Sequence, residues 1–118
     1  MDIKIKYNTI IVKDMEESIK FYTDIMGFEI DSQYHLGPNG MITLMKGSGD
    51  VMIELIANSA YEVGFYSVGL DVKDLNAVLN EFRSKGGKIT MEPMTTTVGS
   101  MAFAEDPNGV KFALIQHN

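Results

Sequence analysis

Apolar and polar positions alternate along this chain in two textures, and the same succession of textures occurs twice. Tyr7 to Val12 is a β-rich apolar run and reads as the end of a strand over Lys4–Val12. Met15, Ile19, Tyr22 and Met26 then recur at helical intervals, one apolar stripe of an amphipathic helix. Asp14 stands where an N-cap is needed, with Glu17 completing an Asp-x-x-Glu capping box, and Gly27 suits a left-handed helix end. Strands follow over Phe28–Gly37, Met41–Lys46 and Val51–Ile56. They are separated by the turn Gly37-Pro38-Asn39-Gly40 and the hairpin Gly47-Ser48-Gly49-Asp50.

Roughly 60 residues on, Val72-Lys73-Asp74-Leu75 echoes Val12-Lys13-Asp14-Met15, and the order repeats. Phe65–Val72 is a strand. Asp74 caps a helix whose stripe is Leu75, Val78, Leu79 and Phe82 and which stops at Gly86-Gly87. Lys88–Thr97 is strand-like, with Pro93 arguing for an edge or a bulge. Ser100–Glu105 and Val110–Gln116 form a hairpin across Asp106-Pro107-Asn108-Gly109. The expected fold is α+β, one domain over 1–118 built of two βαβββ modules. These span about 1–57 and 65–118, with 58–64 as the link. One helix covers one face of each module's sheet. The other faces are expected to form paired curved mixed sheets around a cleft.

Alternation within strands assigns side chains to that cleft. Val51, Ile53 and Leu55 make an apolar face for the helix, which turns Met52, Glu54 and Ile56 the other way. The same reasoning sends Tyr7, Thr9 and Ile11 to the cleft, with Ser67, Gly69 and Asp71 as their repeat partners. Lys111, Ala113 and Ile115 follow on the last strand. On the hairpin strands Met41, Thr43 and Met45 are assigned to the cleft, as are Ser100, Ala102 and Ala104. The first module thus offers large groups and the second small ones, a pattern that suits either a pocket or a packed core.

Composition narrows the function. The formal net charge is −6, which argues against nonspecific nucleic-acid binding. There is no cysteine, hence no disulfide and no thiolate nucleophile. No apolar run is long enough to span a membrane, and Met1 to Lys6 does not read as a signal peptide, so a cytoplasmic protein is expected. The nine methionines favour a pocket for an irregular organic ligand.

The chain resembles the vicinal oxygen chelate superfamily of glyoxalase I, bleomycin resistance proteins and extradiol dioxygenases. The resemblance rests on Val12-Lys13-Asp14-Met15 through Phe21-Tyr22, on Met26-Gly27-Phe28 and on Ala104-Glu105-Asp106-Pro107-Asn108-Gly109, and it covers nearly the whole chain. It implies paired βαβββ modules and a homodimer. It also implies up to four metal ligands from four strands, at positions that correspond here to Tyr7, Glu54, Ser67 and Ala113. Of these, Glu54 alone is a strong ligand type, and a metal site needs about three such residues. The histidines, His35 and His117, read as exposed.

The expectation is a protein that binds a small organic molecule through Tyr7, Thr9, Met41, Met45, Met52, Glu54, Ser67, Ala102 and Ala113. No metal or other cofactor is expected. The alternatives are a glyoxalase-type lyase or isomerase and a non-catalytic dimerisation module. The enzyme would use Glu54 as its catalytic group, with or without a divalent metal that a residue such as His35 could help to hold.

Overall fold

The computed structural model describes residues 1–35 and 37–118. Eight strands and two helices follow one another in the expected order, an α+β fold. They are β1 (Ile3–Val12), α1 (Met15–Lys20), β2 (Glu29–His35), β3 (Met41–Lys46), β4 (Met52–Ala57), β5 (Gly64–Val72), α2 (Leu75–Ser84), β6 (Lys88–Thr96), β7 (Gly99–Glu105) and β8 (Lys111–His117). The strand expected over 28–37 crosses position 36, which lies outside the described residues.

The chain divides into two compact units, Tyr7–Tyr66 and Met1–Lys6 with Ser67–Asn118. The expected modules are close to these. The first six residues, however, go with the second half, where Ile3 packs on that half's core. The 58–64 link goes with the first half.

In the unit Tyr7–Tyr66, β1 pairs in parallel with β4, β4 antiparallel with β3, and β3 antiparallel with β2. Asp14 caps α1, its Oδ1 accepting from Glu17 N at 3.0 Å. α1 ends early and a π-helical turn, Phe21–Ile25, continues it. Thr23 Oγ1 donates back to the Ile19 carbonyl there, at 3.0 Å. The wider turn breaks the helical phase. Met15, Ile19 and Tyr22 pack inward as expected, whereas Met26 is exposed and Phe28 takes an inner place. The chain leaves through Gly27 at φ 73, a backbone region that glycine enters without a Cβ clash. The core joins Val12, Met15, Met45 and Leu55 under the helix.

The other unit repeats this plan. β5 pairs in parallel with β8, β8 antiparallel with β7, and β7 antiparallel with β6. Asp74 caps α2 by accepting from Ala77 N at 3.1 Å. The Leu75 N–H at the helix start is satisfied by Gln116 Oε1 at 2.7 Å, which ties α2 to β8. Val72, Leu75, Val78, Leu79, Ala102, Ala104 and Leu114 form the core. The left-handed residue at the end of α2 is Gly86, at φ 83. Gly87 serves differently: a Cβ there would lie 2.2 Å from the Phe82 ring. Pro93 sits in β6, whose pairing with β7 shifts register between Met91 and Met94, the bulge its ring demands.

Candidate functional site

Register decides which side chains share a face. In the parallel pair β1/β4, Tyr7 lies beside Met52, Thr9 beside Glu54 and Ile11 beside Ile56. Leu55 and Ile53 belong to the core under α1, so this set lies on the sheet's opposite face. Tyr7, Thr9, Met52 and Glu54 are therefore together as expected.

Met41 and Met45 are not with them. Met45 pairs with Ile53 and Met41 with Ala57, and both methionines pack in the helix-side core, Met45 with no exposure. The reason is the hairpin. β3 ends at Lys46 and β4 begins at Met52, so the loop is 47–51 and includes Val51, one residue more than the turn read from sequence. A one-residue change of register carries every side chain of a strand to the other face. Ile42 and Leu44, paired with Ile56 and Glu54, take the places assigned to the methionines.

The second unit shows the same correction. Glu105 pairs with Lys111, so the loop is 106–110. Asp106 holds it open, since its Oδ1 accepts from Asn108 N at 2.7 Å and from Val110 N at 2.9 Å. Those bonds hold the Asp106 carboxyl below its usual range. Ala102 pairs with Leu114 and Ala104 with Phe112, all in the core under α2. Ala113 pairs with Phe103 and Gly69, and Ser67 shares the parity of Gly69 on β5. Ser67 and Ala113 thus stay on the face away from α2, joined there by Met101 and Phe103 in place of Ala102. Ser67 and Ala113 are both buried.

The chemistry of the first unit's face away from α1 centres on Glu54. Thr9 Oγ1 donates to Glu54 Oε1 at 2.7 Å. Burial pushes the Glu54 carboxyl above its ordinary value, and the Thr9 hydrogen bond acts against that rise. Among the described residues Thr9 is the hydrogen-bond partner that Glu54 has, and no buried side-chain oxygen is left unpaired. Glu54 is partly exposed, with one oxygen engaged by Thr9.

The positions at which the resemblance implies metal ligands do not carry the residue types that a divalent metal ion needs. A phenol at Tyr7, a hydroxyl at Ser67 and a methyl at Ala113 leave one carboxylate, and one of its oxygens is already engaged by Thr9. Among the described residues no three histidine, aspartate or glutamate side chains gather as a cation would need. His35 is exposed on β2, and His117 Nε2 lies 3.9 Å from Asp71 Oδ1. No helix among the described residues is long and apolar enough to cross a membrane.

Known proteins share this plan. The protein named "Probable lactoylglutathione lyase" of Synechocystis sp. is 35 % identical over 122 residues, covering 93 % of this chain and 92 % of its own. The chain spans 33–41 % of longer plant relatives. A hypothetical protein of Bacillus halodurans has the same fold, with a TM-score of 0.85 and 17 % identity over 100 % of this chain and 96 % of that one. Methylmalonyl-CoA epimerase of Mycobacterium tuberculosis superposes with a TM-score of 0.79 and 20 % identity over 97 % of this chain and 87 % of that one. The family model described as Glyoxalase/Bleomycin resistance protein/Dioxygenase superfamily matches residues 4–114, and the chain belongs to that superfamily.

Proposed function

We propose that this protein binds a small, partly apolar organic molecule at the face carrying Tyr7, Thr9, Met52 and Glu54, without a divalent metal. The observation that carries the reading is the Glu54 carboxylate. It stands at a position where the family resemblance implies a metal ligand, yet its hydrogen-bond partner is Thr9. Tyr7, Ser67 and Ala113 supply none of the strong ligands that a metal would need. A half-buried carboxylate with one oxygen held by Thr9, among Ile42, Leu44, Met52 and Ile56, suits a ligand that offers a cationic or N–H donor group on an apolar body. This would be a binding role of the kind that the family's bleomycin-resistance members have. The reading takes the chain to be a cytoplasmic homodimer.

The test is a thermal-shift screen of amine-bearing and neutral small molecules, repeated on Glu54→Gln. The reading expects amine hits whose stabilisation disappears in the variant. Hits that bind Glu54→Gln as well as the wild type would remove Glu54 from the site.

A second reading has its own support. Relatives named lactoylglutathione lyase match most of the chain, and Glu54 is a carboxylate able to move a proton. Turnover of a hemithioacetal or of an epimerisable acyl thioester, abolished in Glu54→Ala, would favour that enzyme over a binding protein.

A further inference from the structure

Thr9 counts among the residues expected to touch a ligand, but the geometry gives its hydroxyl another task. A threonine hydroxyl carries a single proton. Here Thr9 Oγ1 donates to Glu54 Oε1 at 2.7 Å, an ordinary length for a hydroxyl donor. Thr9 is 3 % exposed, so water has little access to replace it. Its side chain is β-branched and stiff at χ1. It also sits on a strand paired in direct register with the strand of Glu54. Both partners are therefore held by the sheet itself, the arrangement that fixes a side chain in one orientation.

The nearest neighbours of Glu54 on β3 and β4 are apolar. Leu44 lies beside Glu54 on β3, and Met52 and Ile56 flank it on β4. The polar or charged groups of matching parity on β1 and β3 are the Tyr7 phenol and, at the end of β3, Lys46, which pairs with Glu29.

We propose that Thr9 is a positioning residue: its hydroxyl locks Glu54 Oε1 and leaves Oε2 as the oxygen that meets a ligand. The proposal deepens the binding reading, and rests on it only for the existence of that ligand. In this role Thr9 does for the carboxylate what a coordinated cation would otherwise do. It fixes which oxygen is engaged and which is offered. A ligand then finds a single acceptor in a set direction rather than a rotating carboxylate, so less side-chain freedom is lost on binding.

The test needs no ligand. Side-chain nuclear magnetic resonance of the wild-type protein should show a Thr9 hydroxyl proton that exchanges slowly with water. It should also show Glu54 methylene couplings of a single rotamer. Thr9→Val, close in shape but without the donor, should average those couplings, and Thr9→Ser should restore the single rotamer. In Glu54→Ala the protection of the Thr9 hydroxyl should be lost. Unaveraged couplings in Thr9→Val, or a wild-type Thr9 hydroxyl exchanging as fast as an exposed threonine, would overturn the proposal. Should Thr9→Val not fold, the hydroxyl exchange in wild type and Glu54→Ala decides alone. A positive result beside an empty ligand screen would sink the binding reading and leave the role of Thr9 standing.

Discussion

Truncating Met45 distinguishes a ligand-facing methionine from a core one. Met45 has no exposed surface and packs in the cluster of Val12, Met15 and Leu55. Methionine-to-alanine changes in such cores cost about 2–5 kcal/mol, from lost transfer energy and the cavity left behind. Met15 is a flexible neighbour able to fill part of the void, which argues for a value near the middle, ~3 kcal/mol. For a chain of this size each kcal/mol lowers the melting temperature by roughly 4 °C, so Met45→Ala should melt about 12 °C below wild type. The control is Met26→Ala. Met26 is 47 % exposed beyond the π-helical turn, and its truncation should stay within about 0.5 kcal/mol. Urea unfolding followed by circular dichroism measures both. A Met45→Ala loss below ~1 kcal/mol, or one equal to that of Met26→Ala, would refute the face assignment and return Met45 to the ligand side.

Two further outcomes follow from the structure. Gly99 has φ 151, and a Cβ there would lie 1.9 Å from the Gln116 carbonyl oxygen, whose side chain also holds the start of α2. Gly99→Ala should cost more than ~2 kcal/mol in urea unfolding, and a near-neutral variant would mean that β7 and β8 pair differently there. Glu54 has a carboxyl raised by burial, so the folded state holds its proton to higher pH than the unfolded state does. Stability contributed by Glu54 therefore falls as pH rises from the ordinary carboxylate range through the raised folded value. Glu54→Gln removes that penalty. It should gain on wild type as pH rises from the ordinary carboxylate range through the raised folded value, whereas a difference independent of pH would contradict the burial of the charge.

How much of this was legible from sequence varies by element. The duplicated order of strands and helices was legible because the stripes of Met15, Ile19 and Tyr22 and of Leu75, Val78, Leu79 and Phe82 have a clear period, and Asp14 and Asp74 are local caps. Glu54 was placed away from the helix because β4 alternates a purely apolar set with a mixed one, and Thr9 because it alternates with Asn8, Ile10 and Val12 on β1. The middle strands gave no such contrast. Met41, Thr43 and Met45 alternate with Ile42 and Leu44, and Ala102 and Ala104 with Met101 and Phe103, so both faces read as apolar. Their orientation then hung on hairpin length, and loops of 47–51 and 106–110 each ran one residue past the turn motif. In the second loop the cause is Asp106, whose carboxylate takes Val110 N. The π-helical turn was equally hidden, because Thr23 closes it through a bond to the Ile19 carbonyl that no periodicity announces. The Thr9–Glu54 bond needed the parallel register of β1 and β4, which links residues far apart in the chain.

The central claim is that Glu54 serves an organic ligand and not a metal. The most direct test is calorimetric titration of the metal-stripped protein with nickel, zinc, manganese and magnesium ions. The account predicts no saturable binding by any of the four. Tight binding near one ion per chain would contradict it and make a metal-dependent lyase or isomerase the leading reading.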